Sequence, residues 1–303
     1  MTTRKIGVYG KVASQPDFLR VNAGAFAQAG LDRWFADGLE TVRAERTALP
    51  AGPASFLVAP PAAPALVGAF APAADAAGRA SVLAVFVEIA RDGLADRLPS
   101  LTSTYAYFVN AAGALAASGS TLDGAAMAAG AQELESVLPE EVPAGGRDGG
   151  LTQATVSSLI EALGGGQAAL AYACRTLVAA CEQAAKAGEG RGGITIDAPA
   201  PDAPARELWL EIAQRRLGWR EAVPALLWTD ELDGRLLITL GPPAPSALSF
   251  LANRRHRSNR LWPLRTDVAS AVQEAAAALT AQQRAVTGDP QASLADLAAA
   301  FSP

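Results

Sequence analysis

The stretch that decides the fold covers residues 7–19 and reads GVYGKVASQPDFL. Together with Ile6, the apolar side chain of Val8 suits a half-buried strand, and Gly10 ends this strand where a side chain would crowd the turn. Asp17 carries a short acceptor side chain that could hold a turn or cap a helix. We therefore predict a strand, a turn that contains a lone lysine, and then a helix.

Lys11 follows a glycine, as does the lysine of a phosphate-binding loop. The full pattern G-x-x-x-x-G-K-[ST] is not present, because Val12 follows the lysine. A structural lysine or a contact with a partner is therefore favoured over phosphate binding.

Two short motifs give the chain a resemblance to a known family. The first motif, in residues 7–18, fits a pattern close to G-x-Y/F-G-K-L-P-x-x-G-D-F. The second motif, in residues 68–79, fits the pattern G-x-x-x-P-S-x-D-x-x-G-R except that its serine is absent. Ala13 and Pro16 stand where the first pattern usually has proline and glycine. On these motifs the chain resembles the TagF (ImpM) family of bacterial type VI secretion accessory proteins. Among the matching positions, the candidate signature residues are Gly7, Tyr9, Gly10, Lys11, Asp17, Phe18, Asp75, Gly78 and Arg79.

The resemblance implies a noncatalytic protein that regulates the type VI secretion system through protein–protein interaction, by repressing it after translation. It also implies a forkhead-associated scaffold protein as the partner, a cytoplasmic location, and a structural or interaction role for the nine matching residues. A small-molecule-binding or hydrolytic α/β enzyme is the alternative function.

The overall charge argues against a polyanionic partner. The chain has 303 residues, 25 basic and 30 acidic side chains, a net charge of -5 and a sequence pI near 5.1. No global basic field is therefore available to attract nucleic acid or an anionic membrane. The apolar segment after residues 1–5 is too short for a signal peptide, and no run approaches the roughly 20 apolar residues of a membrane span. We expect a soluble protein of the bacterial cytoplasm, without membrane insertion.

Apolar periodicity predicts the fold class. Strands are expected over residues 6–9, 55–59, 66–70, 81–89, 193–197, 225–229 and 235–240. Helices are expected over residues 25–44, 101–117, 121–137, 152–163, 167–187, 204–217 and 245–254. This order predicts an α/β fold of the α+β type, in which helices cover a mixed, largely antiparallel sheet and the middle section is helical and alanine-rich. We predict a TagF-like amino-terminal domain over residues 1–142 and a helical and mixed α/β region over residues 143–303, which could complete the same domain.

The helix predicted over residues 25–44 carries an apolar stripe. Its large side chains recur at helical spacing, so we expect them to face the core rather than a cofactor. They are Phe26, Leu31, Trp34, Phe35, Leu39 and Val42.

No catalytic, metal-binding or cofactor-binding set emerges from the remaining residues. Cys174 and Cys181 lie about two helical turns apart, roughly 10.5 Å, which is too far for a disulfide, and we expect both to be buried. His256 is the only histidine, and no Gly-x-Ser-x-Gly motif accompanies it. The glycine-rich residues 188–193 follow a predicted helix and precede a strand, which is the reverse of a dinucleotide-binding loop. We predict that the protein is not an enzyme and holds no cofactor.

A cluster of arginines near residue 255 is the candidate partner-binding surface. Arg254, Arg255 and Arg257 lie close to Trp262 in a chain that is acidic overall. Guanidinium groups bind carboxylates or phosphates in pairs, and arginine and tryptophan are typical interface anchors. A solvated helix terminus and a nucleic-acid contact are the alternatives.

Overall fold

The fold is built on one sheet that takes strands from both halves of the chain. The computed structural model describes residues 4–140, 149–187, 193–220, 222–230, 234–241, 244–253, 256 and 258–303. The strands in these residues are β1 (Ile6–Gly10), β2 (Leu19–Val21), β3 (Ala54–Val58), β4 (Ala65–Ala74), β5 (Ala80–Ile89), β6 (Ile194–Pro199), β7 (Ala225–Thr229), β8 (Arg235–Leu240) and β9 (Leu261–Pro263). Their order is β2-β1-β5-β4-β3-β7-β8-β6-β9, and each neighbouring pair is antiparallel except β6 and β9.

The pairing of β3 with β7 joins the two halves of the sheet. Ser55 lies opposite Trp228 and Leu57 opposite Leu226, so strands from before and after the predicted boundary share one hydrogen-bonded ladder. Residues 141–148, where we predict that boundary, lie outside the described ranges. The division into regions 1–142 and 143–303 stays a prediction.

Helices cover the sheet and form the middle of the chain. They are α1 (Gly24–Gln28), α2 (Leu31–Ala44), α3 (Leu94–Thr104), α4 (Ala106–Ala117), α5 (Gly124–Glu133), α6 (Gly149–Gln153), α7 (Val156–Leu163), α8 (Gly166–Ala187), α9 (Ala203–Leu217), α10 (Ser246–Ala252), α11 (Ala269–Ala277), α12 (Ala281–Gly288) and α13 (Leu294–Ala300). The predicted fold class, a mixed and largely antiparallel sheet covered by helices with an alanine-rich helical middle, is confirmed. Within the described ranges, no helix is both long enough and apolar enough to cross a membrane.

Alternation along the strands gives each face of the sheet its own core. In β5, Val85 and Val87 belong to the core that α4 covers, whereas Ala84 and Phe86 belong to the core that α2 covers. Successive side chains of a strand point to opposite faces, so both faces of this strand are buried. Burial on both faces explains why β4 and β5 are almost continuously apolar in sequence.

The apolar stripe predicted on residues 25–44 is confirmed. Its side chains pack into the core on the α2 face of the sheet, where aromatic rings from the strands meet them. Leu39 is half-buried there, and the buried members are Phe26, Leu31, Trp34, Phe35 and Val42.

Several local predictions are wrong. The turn after Lys11 leads into β2, so Asp17 precedes a strand rather than a helix. The helix expected over residues 25–44 is divided into α1 and α2, because Gly30 adopts a left-handed φ of 70° between them. The helices expected over residues 101–117 and 152–163 are divided as well, at Tyr105 and at residues 154–155. The strands β2 and β9 and the helices α11, α12 and α13 have no counterpart in the sequence-based prediction.

Candidate functional site at the amino-terminal signature

The sheet register brings the two sequence motifs together. Gly10 lies opposite Leu83, so Lys11 reaches the start of β5 and donates its backbone N–H to the carbonyl oxygen of Val82 (3.3 Å). The turn that joins β4 to β5 carries Asp75. Two residues that are 64 positions apart in sequence therefore meet at one corner of the sheet.

The glycines of the motifs are required by the backbone at this corner. Gly10 has a φ of 147°, and a Cβ there would lie 2.2 Å from the carbonyl oxygen of Val82. Gly78 has a φ of 74° in the turn over residues 75–79, a left-handed conformation that glycine adopts at little cost. At Gly7 the constraint is space, since a Cβ would lie 2.3 Å from the ring of Phe86. Each of these glycines thus has a structural role.

Lys11 is a buried cation with three contacts. Its side chain is 9% exposed, and its Nζ donates to Oδ2 of Asp75 (2.5 Å) and to the carbonyl oxygen of Pro16 (3.2 Å). The same Nζ lies 4.8 Å from the ring centroid of Phe18, which is a cation–π distance. These contacts occupy the ammonium group, and they support a structural role for Lys11 over phosphate binding.

Asp75 lies at the centre of this group, with no exposed side-chain surface. Its Oδ2 also accepts from Nε of Arg79 (2.6 Å), while Oδ1 accepts the backbone N–H groups of Ala77 (3.0 Å) and Arg79 (2.9 Å). The hydrogen bond from Lys11, helped by those from Arg79 and Ala77, holds the pKa of the Asp75 carboxyl well below its usual range, against the opposing effect of burial. We call Lys11, Asp75 and Arg79 the signature ion cluster.

Arg79 closes the signature ion cluster at the surface. Its side chain is 63% exposed, and its Nη2 donates to the carbonyl oxygen of Pro16 (3.0 Å). Lys11 and Arg79 therefore both bind this carbonyl oxygen, and together they fix the loop that follows β1.

An aromatic stack lies beside the signature ion cluster. The ring of Tyr9 stacks on Phe18 (5.3 Å between centroids) and on Phe26 (4.7 Å), and the guanidinium group of Arg20 lies 5.8 Å from the Tyr9 centroid. Burial raises the pKa of Tyr9, and the carboxylate of Asp32 raises it further. Phe26 is fully buried and Phe18 is 39% exposed, so the stack runs from the core to the surface.

Asp17 lies on the surface beside this stack. Its side chain is exposed, and its backbone carbonyl oxygen accepts a hydrogen bond from Nε2 of Gln15 (3.3 Å). The expected helix cap is wrong, because a strand follows Asp17.

The second candidate surface lies largely outside the described residues. Arg254, Arg255 and Arg257 are not among them, so their contribution to partner binding stays a prediction. Trp262 is described, and it is half-buried in β9, where it packs against the core on the α4 face of the sheet.

Other ionisable groups with shifted pKa values lie among the helices. Burial raises the pKa of the Cys174 thiol far above its usual range and that of Cys181 to about 12. Burial also raises the pKa of Glu207, whose Oε1 accepts a hydrogen bond from Ser103. The prediction that both cysteines are buried is confirmed, and buried thiols that stay protonated are poor nucleophiles.

In the part of the chain that the structure describes, no three His, Cys, Asp or Glu side chains gather where they could hold a metal ion. Nδ1 of His256 lies 3.4 Å from Oε2 of Glu45, and its ring packs on Phe250 (5.0 Å between centroids). That the protein has no catalytic, metal or cofactor site stays a prediction.

Sequence reasoning missed a second ion pair, which joins β6 to β8. Arg235 is 4% exposed in its side chain, and its Nε and Nη2 bind the two carboxylate oxygens of Asp197 (2.6 and 2.7 Å). Its Nη1 donates to the carbonyl oxygens of Phe250 (2.6 Å) and Leu251 (3.3 Å) in α10. The signal available in the sequence is an aspartate at the end of the apolar strand predicted over residues 193–197, because a charge that is buried there requires a partner.

Replacing Asp75 by asparagine is expected to lower the melting temperature at neutral pH. The amide oxygen can still accept from Ala77 and Arg79, but the buried Lys11 loses its counter-charge. Because the folded pKa of Asp75 lies below the unfolded value of about 3.9, its charge stabilises the fold fully above that pH, and this contribution is lost as the pH falls toward the folded pKa. The difference in melting temperature from wild type should therefore be constant above about pH 5 and shrink below about pH 4.

Asp289→Asn is the matched control for this comparison, because Oδ1 of Asp289 accepts the backbone N–H of Gln291 in an exposed turn (2.9 Å). Thermal unfolding, followed by circular dichroism across this pH range, measures both variants. A melting curve of Asp75→Asn equal to that of wild type at neutral pH would show that the signature ion cluster does not stabilise the fold.

Two comparisons with known proteins find a match to this chain. Residues 7–135 match the model of the TagF N-terminal domain, described as type VI secretion system-associated. A solved structure, described as PA0076 from Pseudomonas aeruginosa PAO1, is 17% identical with a TM-score of 0.49, over 86% of this chain and 99% of that chain. No curated protein matches the chain. The resemblance to the TagF family is thus confirmed through residues 7–135, which match the family's amino-terminal domain, a domain associated with the type VI secretion system.

Proposed function

We propose that this chain is a noncatalytic regulator of the type VI secretion system and that it acts by binding another protein. The observation that carries the proposal is the TagF N-terminal domain, in which the two sequence motifs form one ion cluster. The charges of Lys11 and Asp75 are taken up by one another, by Arg79 and by backbone groups. Such an arrangement fixes the conformation of the surface around it, and a fixed surface suits a protein that acts by binding.

The proposed regulation is repression after translation, with a forkhead-associated scaffold protein of the secretion system as partner, in the cytoplasm. A protein that acts without chemistry can change the activity of an apparatus by binding one state of a component more tightly than another. A rigid surface is sufficient for this, because the shift in population depends only on the difference in affinity.

We expect that raising the amount of this chain in a bacterium with an active type VI system lowers the amount of substrate in the medium. Cellular levels of the secretion components should stay unchanged, because the proposed repression acts on proteins already made. Substrate and components are measured in both fractions by immunoblot. Secretion that stays equal or rises would contradict repression, and a fall in component levels would contradict action after translation.

Direct binding tests the partner and the arginine cluster together. Purified scaffold protein is expected to bind the chain in titration calorimetry, and the Arg254→Glu, Arg257→Glu double variant is expected to bind more weakly, with a smaller salt dependence. Arg33→Glu with Arg220→Glu is the matched control, because it changes the net charge equally at two exposed arginines elsewhere in the chain. Equal affinity and equal salt dependence of the Arg254→Glu, Arg257→Glu variant and wild type would place the interface elsewhere.

A further inference from the structure

Two side chains at the amino-terminal signature are exposed and yet held in place. Phe18 is 39% exposed, and the side chain of Arg79 is 63% exposed. Phe18 is one of the few large apolar side chains exposed in the described residues. An exposed side chain normally moves among rotamers, so contacts that hold it are informative about function.

Phe18 is fixed from two directions. Its ring stacks on Tyr9 at 5.3 Å, and the Nζ of Lys11 lies 4.8 Å from its centroid. Tyr9 rests in turn on the fully buried Phe26. The exposed ring is therefore supported by the core.

Arg79 is fixed by two hydrogen bonds, from Nε to Asp75 and from Nη2 to the carbonyl oxygen of Pro16. Within the described residues its Nη1 makes no hydrogen bond, so this edge of the guanidinium group can take a ligand. A guanidinium group binds a carboxylate through charge-assisted hydrogen bonds.

Two further arginines lie on the same corner of the sheet. The guanidinium group of Arg20, which is exposed on the edge strand β2, lies 5.8 Å from the ring centroid of Tyr9. Arg43 donates a hydrogen bond (2.7 Å) to the carbonyl oxygen of Ala80, which is the residue after Arg79. The acids nearby are Asp75, whose carboxylate is buried within the ion cluster, the exposed Asp17, and the half-buried Asp32, whose carboxylate acts on Tyr9. These three acids are outnumbered by the four cations Lys11, Arg20, Arg43 and Arg79. Positive charge therefore prevails at this corner of a chain whose net charge is -5.

We propose that Phe18 and Arg79 form a docking surface for an acidic segment of a partner protein. A carboxylate of the partner binds the open edge of Arg79, and an apolar side chain next to it packs on the ring of Phe18. Aromatic and arginine side chains dominate binding energy at interfaces, and side chains already held in their bound conformation lose less entropy on binding. The inference rests on the proposed function, because it specifies where and by what chemistry the partner is bound.

The test measures binding of wild type and variants to the forkhead-associated scaffold and to each other cytoplasmic component encoded with the same secretion system, purified one at a time. Phe18→Ala and Arg79→Gln are each expected to weaken the binding of one component at least about tenfold. Phe18→Tyr keeps the ring and should bind nearly as wild type. Arg79→Gln should also reduce the dependence of affinity on salt, since it removes a charge contact.

The matched controls are Tyr107→Ala and Arg175→Gln, which remove an exposed ring and an exposed arginine far from this corner in sequence. Arg175, like Arg79, donates to a backbone carbonyl oxygen, that of Ala278 (3.1 Å). Both controls should bind as wild type. Melting temperatures of all variants are compared first, and Phe18→Ala leaves every hydrogen bond of the signature ion cluster in place, so it tests the surface even where Arg79→Gln is unstable.

The outcomes separate the inference from the proposed function. A component that binds wild type and folded Phe18→Ala and Arg79→Gln with equal affinity would overturn the docking surface and leave the proposed function intact. Binding of no component to wild type would overturn both. Binding that is lost in Phe18→Ala and Arg79→Gln but is equally lost in the two controls would show a general loss of surface contacts and would also overturn the docking surface.

Discussion

Replacing Trp34 by alanine is expected to lower the free energy of unfolding by about 3–5 kcal/mol, the usual cost of truncating a large buried aromatic side chain. Trp34 is 8% exposed and packs at 4.8 Å, edge to face, on Phe35. Its Nε1 donates to the carbonyl oxygen of Ala244 (3.1 Å), which lies just before α10. Alanine would leave a cavity under α2 and a carbonyl oxygen without this donor.

Equilibrium unfolding in urea measures the change, with circular dichroism as the signal because the variant also loses a tryptophan fluorophore. Trp34→Phe is expected to lose less, since it keeps most of the packing and gives up the hydrogen bond to Ala244, worth about 0.5–1.5 kcal/mol. Tyr107→Ala is the control for an exposed aromatic, because Tyr107 is 83% exposed and its truncation should change stability little. A Trp34→Ala protein as stable as wild type would refute the assignment of Trp34 to the core.

This contact also connects parts of the chain that are distant in sequence. Trp34 belongs to α2, within the matched TagF N-terminal domain, whereas Ala244 lies beyond residue 135. The helices α2 and α10 pack side by side on the same face of the sheet. We therefore expect Trp34→Ala to loosen α10 as well as α2, which hydrogen exchange of the two helices would show.

The sheet strands could be predicted because their burial pattern is visible in sequence. The strands β3, β4 and β5 are buried on both faces, so they appear as apolar runs bounded by proline and glycine. The strands β2 and β9 have three residues each, which is too short for an alternating pattern to be recognised. Sequence periodicity therefore finds central strands more readily than edge strands.

Turn conformation limited the prediction of helices. Gly30 lies within an apolar pattern that continues on both sides of it, and its left-handed φ is what separates α1 from α2. The helix α11 was missed for another reason. Every position of α11 is at least partly exposed, so this helix has no strong apolar stripe for periodicity to detect.

The residues of the candidate site could be predicted from the sequence, but their contacts with one another could not. Family resemblance identified Lys11, Asp75 and Arg79 as signature residues, but their contact depends on the pairing of β1 with β5 and on the β4–β5 turn. Register over that distance cannot be obtained from one sequence. The carbonyl oxygen of Pro16 accepts hydrogen bonds from Lys11 and Arg79, the two side chains that bind Asp75. The position of the loop after β1, and with it the exposure of Phe18, therefore depends on the same register.

Replacing Arg235 by alanine is expected to lower the free energy of unfolding by about 3–5 kcal/mol, since one member of a buried ion pair is removed and the other remains. The carboxylate of Asp197 would lose both of its bonds to the guanidinium group. The carbonyl oxygens of Phe250 and Leu251 would lose the donor that ties the end of α10 to β8. Because α10 directly precedes the arginine cluster in sequence, this variant also tests whether the proposed partner binding at Arg254 and Arg257 depends on that attachment.

Two further variants separate the charge from the packing. Adding Asp197→Leu to Arg235→Met should recover part of the lost stability, because no buried charge is then left without a partner. Arg215→Ala is the control for a pair whose arginine is exposed, since Arg215 is 40% exposed and lies one helical turn from Glu211, and such pairs contribute less than about 1 kcal/mol. If Arg235→Ala unfolds at the same urea concentration as Arg215→Ala, the Arg235–Asp197 pair does not hold β6, β8 and α10 together. If instead Arg235→Ala is destabilised and the double variant recovers, the unpaired carboxylate is the main cost, and the remaining deficit belongs to the two carbonyl oxygens of α10.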